Sequence, residues 1–218
     1  MIEKCGKYNI KRYVSLYQNL HKMSVLGQRT TTTSMDWDDF KSLIGKLERD
    51  GEYKFCLLIT IGVFTGLRIS DLLKLRFNQF ENSDILTIQE QKTRKTRRIK
   101  INPDLKEIIQ RVKGRMVVTN TDQYIFVNKY GTKPIDKSYV NVKLKELLKQ
   151  YNIVLEGNAS SHLFRKTLGN RVLRLNNYSN ESVILLMELF GHSSPSITKK
   201  YLGIREREIH DVYDSLRL

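Results

Sequence analysis

A phenol and an imidazole stand nine positions apart in the run Gly191-His192-Ser193-Ser194-Pro195-Ser196-Ile197-Thr198-Lys199-Lys200-Tyr201. A tyrosine hydroxyl, with a pKa of about 10, is a weak nucleophile unless a neighbour takes its proton or stabilises the charge it transfers. Arginine supplies such stabilisation, because its planar guanidinium grips two phosphate oxygens at once and stays protonated. Two arginines have suitable surroundings. Arg68 follows Thr65-Gly66-Leu67, where the glycine permits close backbone approach at a helix start. Arg165 lies three residues after His162, so the two share a helix face near an N-terminus, where a phosphate is well held. Lys92, Arg94, Lys95, Arg97, Arg98 and Lys100 add six cations in nine residues, a pattern suited to phosphate contact. Each feature alone has a plainer explanation. These are a core tyrosine beside a capping histidine, a surface arginine paired with Asp71, a capping histidine with another surface arginine, and a solvated sheet edge that resists aggregation.

The composition narrows the partner. The chain carries 38 Lys and Arg against 23 Asp and Glu, a formal net charge of +15 over 218 residues. That excess favours a polyanion, DNA or RNA, over an acidic small molecule. With 40% hydrophobic and 28% charged residues the chain is globular and able to build a sizeable core. Cys5 and Cys56 form neither a closely spaced metal pattern nor a disulfide framework. Met1-Ile2-Glu3-Lys4 lacks the apolar run of a signal peptide, and the longest apolar stretch, Phe55 to Phe64, is far too short to span a bilayer. A cytoplasmic protein with no membrane segment, metal or cofactor is the expectation.

The elements that must carry these residues are mostly helical. Residues 1–34 are expected to form a short basic helix, around Ile10, Tyr13, Val14 and Tyr17, followed by a linker. Ser34 is the expected cap of a helix faced by Trp37, Phe40, Leu43, Ile44 and Leu47. Residues 53–64 are apolar nearly all round, the mark of a buried helix, and Thr65-Gly66 ends it. Ile85–Ile88 and Arg97–Ile101 alternate as strands of a β-hairpin, with Tyr124–Val127 as a further short strand. Asn102-Pro103-Asp104 starts a helix. Asp136 is the expected cap of residues 137–150, Ser161 of 162–175 and Asn180 of 181–190. Gly191 suits the left-handed end of that last helix, Ser194 the next N-cap and Pro195 its first position. His192 then sits at a corner, with Tyr201 about two turns into the following helix. A final helix is expected over 205–216. The fold class is mostly α with a small antiparallel β-sheet.

Taken together and in order, Thr65–Leu73, Gln91-Lys92-Thr93, His162-Leu163-Phe164-Arg165, Gly191–Ser194 and Tyr201 resemble the tyrosine recombinases, also called phage integrases. The resemblance covers roughly residues 35–218, which would form the catalytic domain. It implies site-specific breaking and rejoining of double-stranded DNA without metal or ATP. By position, Arg68 and Arg165 match the arginines that clamp the scissile phosphate. His162 matches the histidine that assists them and manages the nucleophile's proton, and His192 matches a further phosphate ligand. Lys92 matches the hairpin general acid, with Lys95 the other candidate. Tyr201 matches the nucleophile that forms a 3′-phosphotyrosyl bond, and Asp71 an acid that supports the arginines. Arg94, Lys95, Arg97, Arg98 and Lys166 are expected to contact DNA. The family also implies that the helix over 205–216 docks on a neighbouring copy. Lys166 stands where many relatives have a second histidine, and Phe190 where they have leucine; neither is expected to touch the chemistry. Residues 1–34 are too short for the core-binding domain many relatives carry, so a DNA-binding accessory or remnant without productive catalysis is the alternative.

Overall fold

A computed structural model describes residues 33–81, 83–118, 120–204 and 212–216, all within the compact unit Thr32–Leu218. The helix expected near Ile10–Tyr17, most of the linker before Ser34 and residues 205–211 of the last helix lie outside the described residues.

Helix α1 (Trp37–Arg49) is amphipathic, with Phe40, Leu43, Ile44 and Leu47 buried. Its cap is Asp36 rather than Ser34: the Asp36 carboxylate accepts the Asp38 N–H at 3.0 Å. Ser34 instead takes a hydrogen bond from the Asn170 amide, tying the start of this unit to a later helix. Helix α2 (Tyr53–Thr65) is buried from Phe55 to Val63, as a helix apolar on every side must be. It is the axis of the domain, in contact with α1 and three helices introduced below, and it ends at Gly66, whose φ of 59° is left-handed.

Helix α3 (Ile69–Leu72) is a single turn, followed by a 3-10 turn over Phe77–Phe80. Strands β1 (Ile85–Gln89) and β2 (Thr96–Lys100) pair antiparallel, with Leu86 opposite Ile99 and Ile88 opposite Arg97. The strand expected at Tyr124–Val127 is reduced to two isolated bridges, Arg76 with Tyr124 and Val127 with Pro134. Helices α4 (Pro103–Lys113) and α5 (Lys137–Gln150) start at Asn102 and Asp136, as their sequences indicate.

Helix α6 (His162–Leu175) packs on α2. A Cβ on Gly62 would sit 2.6 Å from the Phe164 ring, so the glycine is what allows the two backbones to approach. Ser161, the expected cap, makes no capping bond; the Ser160 hydroxyl accepts the His162 N–H instead, at 3.3 Å. Helix α7 (Asn180–Phe190) is capped by Ser179, one residue earlier than expected. Gly191 is left-handed at φ 64°, Ser194 caps helix α8 (Pro195–Leu202), and α8 lies against α6 and α7. Leu173, Leu186, Phe190 and Leu202 fill that last seam. Among the described residues no helix is long and apolar enough to cross a membrane.

Candidate active site

Two guanidiniums converge on one backbone oxygen. Arg68 directly precedes α3, beyond the left-handed Gly66, and its Nη2 donates to the Phe190 carbonyl at 3.2 Å. Arg165, in the first turn of α6, donates to the same carbonyl at 2.8 Å. Phe190 is the last residue of α7, where carbonyls lack helical partners and the dipole is negative, so this helix end is a natural cation anchor. The Arg165 guanidinium also lies 4.7 Å over the Phe190 ring. Arg165 is 7% exposed, and burial pulls its pKa down to about 10, which leaves it charged near neutrality.

Arg68 is not paired with Asp71. Its Nη1 donates at 2.7 Å to Glu90, a residue the motif reading overlooked. Asp71 accepts the Gln91 N–H at 2.9 Å and so holds the hairpin turn to α3. Arg97 turns inward: it donates to the Thr65 carbonyl at 2.9 Å and lies 3.7 Å from Glu90. The two-residue alternation that puts Arg97 on the same face as Ile99 was the available signal for this. Arg94, Lys95 and Arg98 remain on the exposed side of the hairpin.

The corner after α7 sets the other half. The His192 N–H donates to the Met187 carbonyl at 2.9 Å, and its Nδ1 meets the Thr198 hydroxyl at 3.0 Å. Tyr201 hangs from α8 with its hydroxyl 3.5 Å from His162 Nδ1. Its ring meets those of Phe190 at 5.6 Å and His192 at 5.3 Å, edge to face. The Lys166 ammonium sits 5.3 Å from the Tyr201 ring centre. Phe190 and Lys166, the two departures expected to stand clear of the site, therefore both pack against it.

Burial pushes the Tyr201 phenol up to about 12, against the pull of Arg165 and Arg68. His162 and His192 are both held below the usual imidazole value, first by desolvation. Lys137, Arg165 and Lys166 add to this for His162, and Arg165, Arg68 and Lys92 for His192. Both imidazoles are thus neutral near neutrality.

A cavity of about 420 Å³ is lined by Arg68, Lys92, His162, Arg165, His192 and Tyr201 together. Lys95 is not among its lining residues, whereas Lys137, the first residue of α5, is. Nothing in the sequence around Lys137 signalled that role, because only the packing of α5 brings it there. No group of three or more His, Cys, Asp or Glu able to hold a metal occurs among the described residues. The cavity offers cations for an anion, two neutral imidazoles and a phenol, the donor set for nucleophilic attack on a phosphodiester.

Known proteins share both sequence and fold. The chain is 31% identical over 171 residues to the "Probable integrase/recombinase YoeC" of Bacillus subtilis, covering 78% of this chain and 86% of that one. It is 27% identical to "Tyrosine recombinase XerC" of Lacticaseibacillus casei, spanning 80% of this chain but 57% of the relative. Among solved structures, XerA recombinase superposes with a TM-score of 0.63 at 19% identity, over 95% of this chain and 75% of that one. XerH in a post-cleavage complex with its palindromic difH substrate gives 0.62 at 18% identity, over 89% of this chain and 57% of that one. The family model described as "Phage integrase family" matches residues 33–208, which include every residue named as lining this cavity, and the chain accordingly belongs to that family of tyrosine recombinases.

Proposed function

We propose that this chain is a site-specific DNA recombinase that cuts and rejoins strands through Tyr201. The observation that carries this reading is the cavity itself: residues from the α2–α3 junction, the hairpin turn, α6, the α7–α8 corner and α8 line one shared space. Solved relatives held with DNA, including XerH with its difH substrate and the Tn1549 transposon integrase with circular intermediate DNA, support the substrate class.

Tyr201 Oη attacks the scissile phosphorus, the bond to the 5′-oxygen breaks, and a 3′-phosphotyrosyl bond forms. His162 Nδ1, 3.5 Å from the hydroxyl, accepts the phenol proton; such bonds tighten when substrate is bound. Lys92 gives a proton to the departing 5′-oxygen. Arg68 and Arg165 hold the nonbridging oxygens, whose charge grows in the transition state; removal of one such donor costs on the order of 10² to 10³ in rate. With its Nδ1 engaged by Thr198, His192 offers Nε2 to the same phosphate. A 5′-hydroxyl from another strand reverses the sequence, so the energy of the cut bond is kept in the tyrosyl ester. Arg94, Lys95, Arg98 and Lys166 contact the flanking backbone, Arg97 acts from below the turn, and the helix over 205–216 docks on a second copy on DNA.

The test uses DNA flanking the coding sequence, supplied as nicked duplex fragments. The wild-type chain is expected to form a denaturant-resistant protein–DNA adduct, and Tyr201→Phe none. An adduct that survives Tyr201→Phe would remove Tyr201 as the nucleophile. Specific binding with no adduct would reassign the chain as an accessory DNA-binding protein.

A further inference from the structure

One carboxylate joins the two halves of the site. Glu90, 7% exposed just beyond β1, accepts from Arg68 Nη1 at 2.7 Å and from the Thr93 hydroxyl at 2.7 Å, both on Oε2. Its other oxygen lies 3.7 Å from Arg97. Thr93 is the residue after Lys92. We propose that Glu90 is a positioning residue: it locks the turn that carries Lys92 to Arg68, so that the proton donor and the phosphate clamp are set by a single group. This rests on the recombinase reading above.

Lys92 needs such help. Lysine is a flexible stem with rotatable donors, unlike the rigid fork of arginine, so its reach is set by the backbone it hangs from. That backbone is a six-residue connection without glycine. It is closed by Glu90 N–H to the Lys95 carbonyl at 3.0 Å and Arg94 N–H to the Glu90 carbonyl at 2.9 Å. Arg94 adopts φ 60°, a left-handed conformation disfavoured for any side chain with a Cβ. A turn strained in this way is kept by anchors: Asp71 and the Ser70 carbonyl hold Gln91, and Glu90 ties Thr93 to Arg68.

Electrostatics alone would not place an acid here. A carboxylate beside the clamp weakens attraction for a phosphate, and burying it is tolerated only when it is paired. Burial raises the Glu90 pKa, but the Thr93 hydroxyl, Arg68 and Arg97 outweigh it, so the group stays ionised and opposes substrate binding. Its contribution is therefore geometric, and its removal has opposite effects on binding and on cleavage.

The experiment is single-turnover cleavage of two nicked duplexes built on a site that the wild-type chain cleaves. One has the natural bridging 5′-oxygen, and the other has sulfur at that atom. A thiolate leaves without a proton, so sulfur erases a defect in proton delivery and preserves a defect in the clamp or the nucleophile. Glu90→Gln and Thr93→Val are expected to slow the oxygen substrate by about tenfold or more, a part of the roughly 10² to 10⁴ that a general acid supplies. Affinity for uncut duplex should be unchanged or tighter. The sulfur substrate should be cleaved at close to the wild-type rate by Thr93→Val, while Glu90→Gln should regain the proton-delivery part of its loss and keep the part that comes through Arg68. Thr93→Val leaves the Glu90–Arg68 pair in place, so it isolates the arm to the turn. Equal defects of Thr93→Val on both substrates would overturn the proposal, as would the absence of a defect on the oxygen substrate in both variants. A wild-type chain that forms no adduct on any flanking duplex would overturn the recombinase reading and this inference with it.

Discussion

At the scale of single residues, the site works by holding its bases neutral and its cations charged. His162 and His192 are both lowered from 6.5, chiefly by desolvation and then by the cations around them. A base whose pKa is lower in the folded state binds fewer protons there than when unfolded. Stability from these two groups is therefore intact above about 6.5 and declines as pH falls through the depressed values. In the proposed mechanism cleavage follows the same direction, because protonated His162 could not accept the Tyr201 proton. Single-turnover cleavage is expected to rise with pH, with an apparent pKa below 6.5, and His162→Asn should flatten that limb. A limb that persists in His162→Asn would assign the proton transfer elsewhere.

At the scale of elements, α6 decides the geometry because it touches α2 on one side and α8 on the other. Gly62 admits Phe164 of α6, and Gly169 of α6 admits Leu202 of α8, where a Cβ would fall 2.5 Å from a leucine methyl. Leu202 is 3% exposed and neighbours Tyr201, so the strain of Gly169→Ala passes to the nucleophile's helix. Alanine gains about 0.5–1 kcal/mol over glycine inside a helix, but overpacking a tight core costs about 1–3 kcal/mol. Gly169→Ala should thus lower the melting temperature modestly. It should slow cleavage by about 10² if Tyr201 moves by about 1 Å, with DNA affinity retained. An unchanged cleavage rate would show that α8 absorbs the methyl without moving its tyrosine. The same helix-level reasoning explains Phe190. Its carbonyl ends α7 and anchors both arginines, while its buried ring touches Arg165, His192 and Tyr201.

At the scale of the whole molecule, the proposed reading places catalysis and assembly in separate parts of the chain. The seam between α6, α7 and α8 is closed by Ile204, which is 7% exposed. Beyond it, Val212, Tyr213 and Leu216 are 61%, 68% and 73% exposed, apolar groups that suit burial against a second copy. A chain ending at Ile204 is expected to keep the fold and still form the tyrosyl adduct on a single site, while losing the joining of two sites. Intact two-site synapsis in that chain, measured by gel shift of bridged duplexes, would rule out the docking role. The net charge of +15 acts at this scale too, drawing the chain to DNA before any specific contact is made.

Local signals determined much of the architecture. Asn102, Asp136 and Ser194 cap the helices their sequences point to, Gly66 ends its helix as expected and Gly191 takes the left-handed position expected of it, because capping involves atoms only two or three residues apart. Where two cap candidates lie close together, as with Ser34 and Asp36 or Ser179 and Asn180, the local pattern did not choose correctly; Ser34, for one, is engaged by the Asn170 amide of α6 instead. The ordered polar residues that line the cavity were legible only through their joint resemblance to the tyrosine recombinases, since each alone had a plainer reading. Tertiary structure alone decided that Glu90 rather than Asp71 meets Arg68, that Arg97 reaches the Thr65 carbonyl, that Lys137 joins the cavity and that one helix-end carbonyl holds both arginines. Each of these pairs residues 20 or more positions apart, and a buried charge takes whichever partner the packed backbone brings within about 3 Å, which no nearest-neighbour pattern encodes.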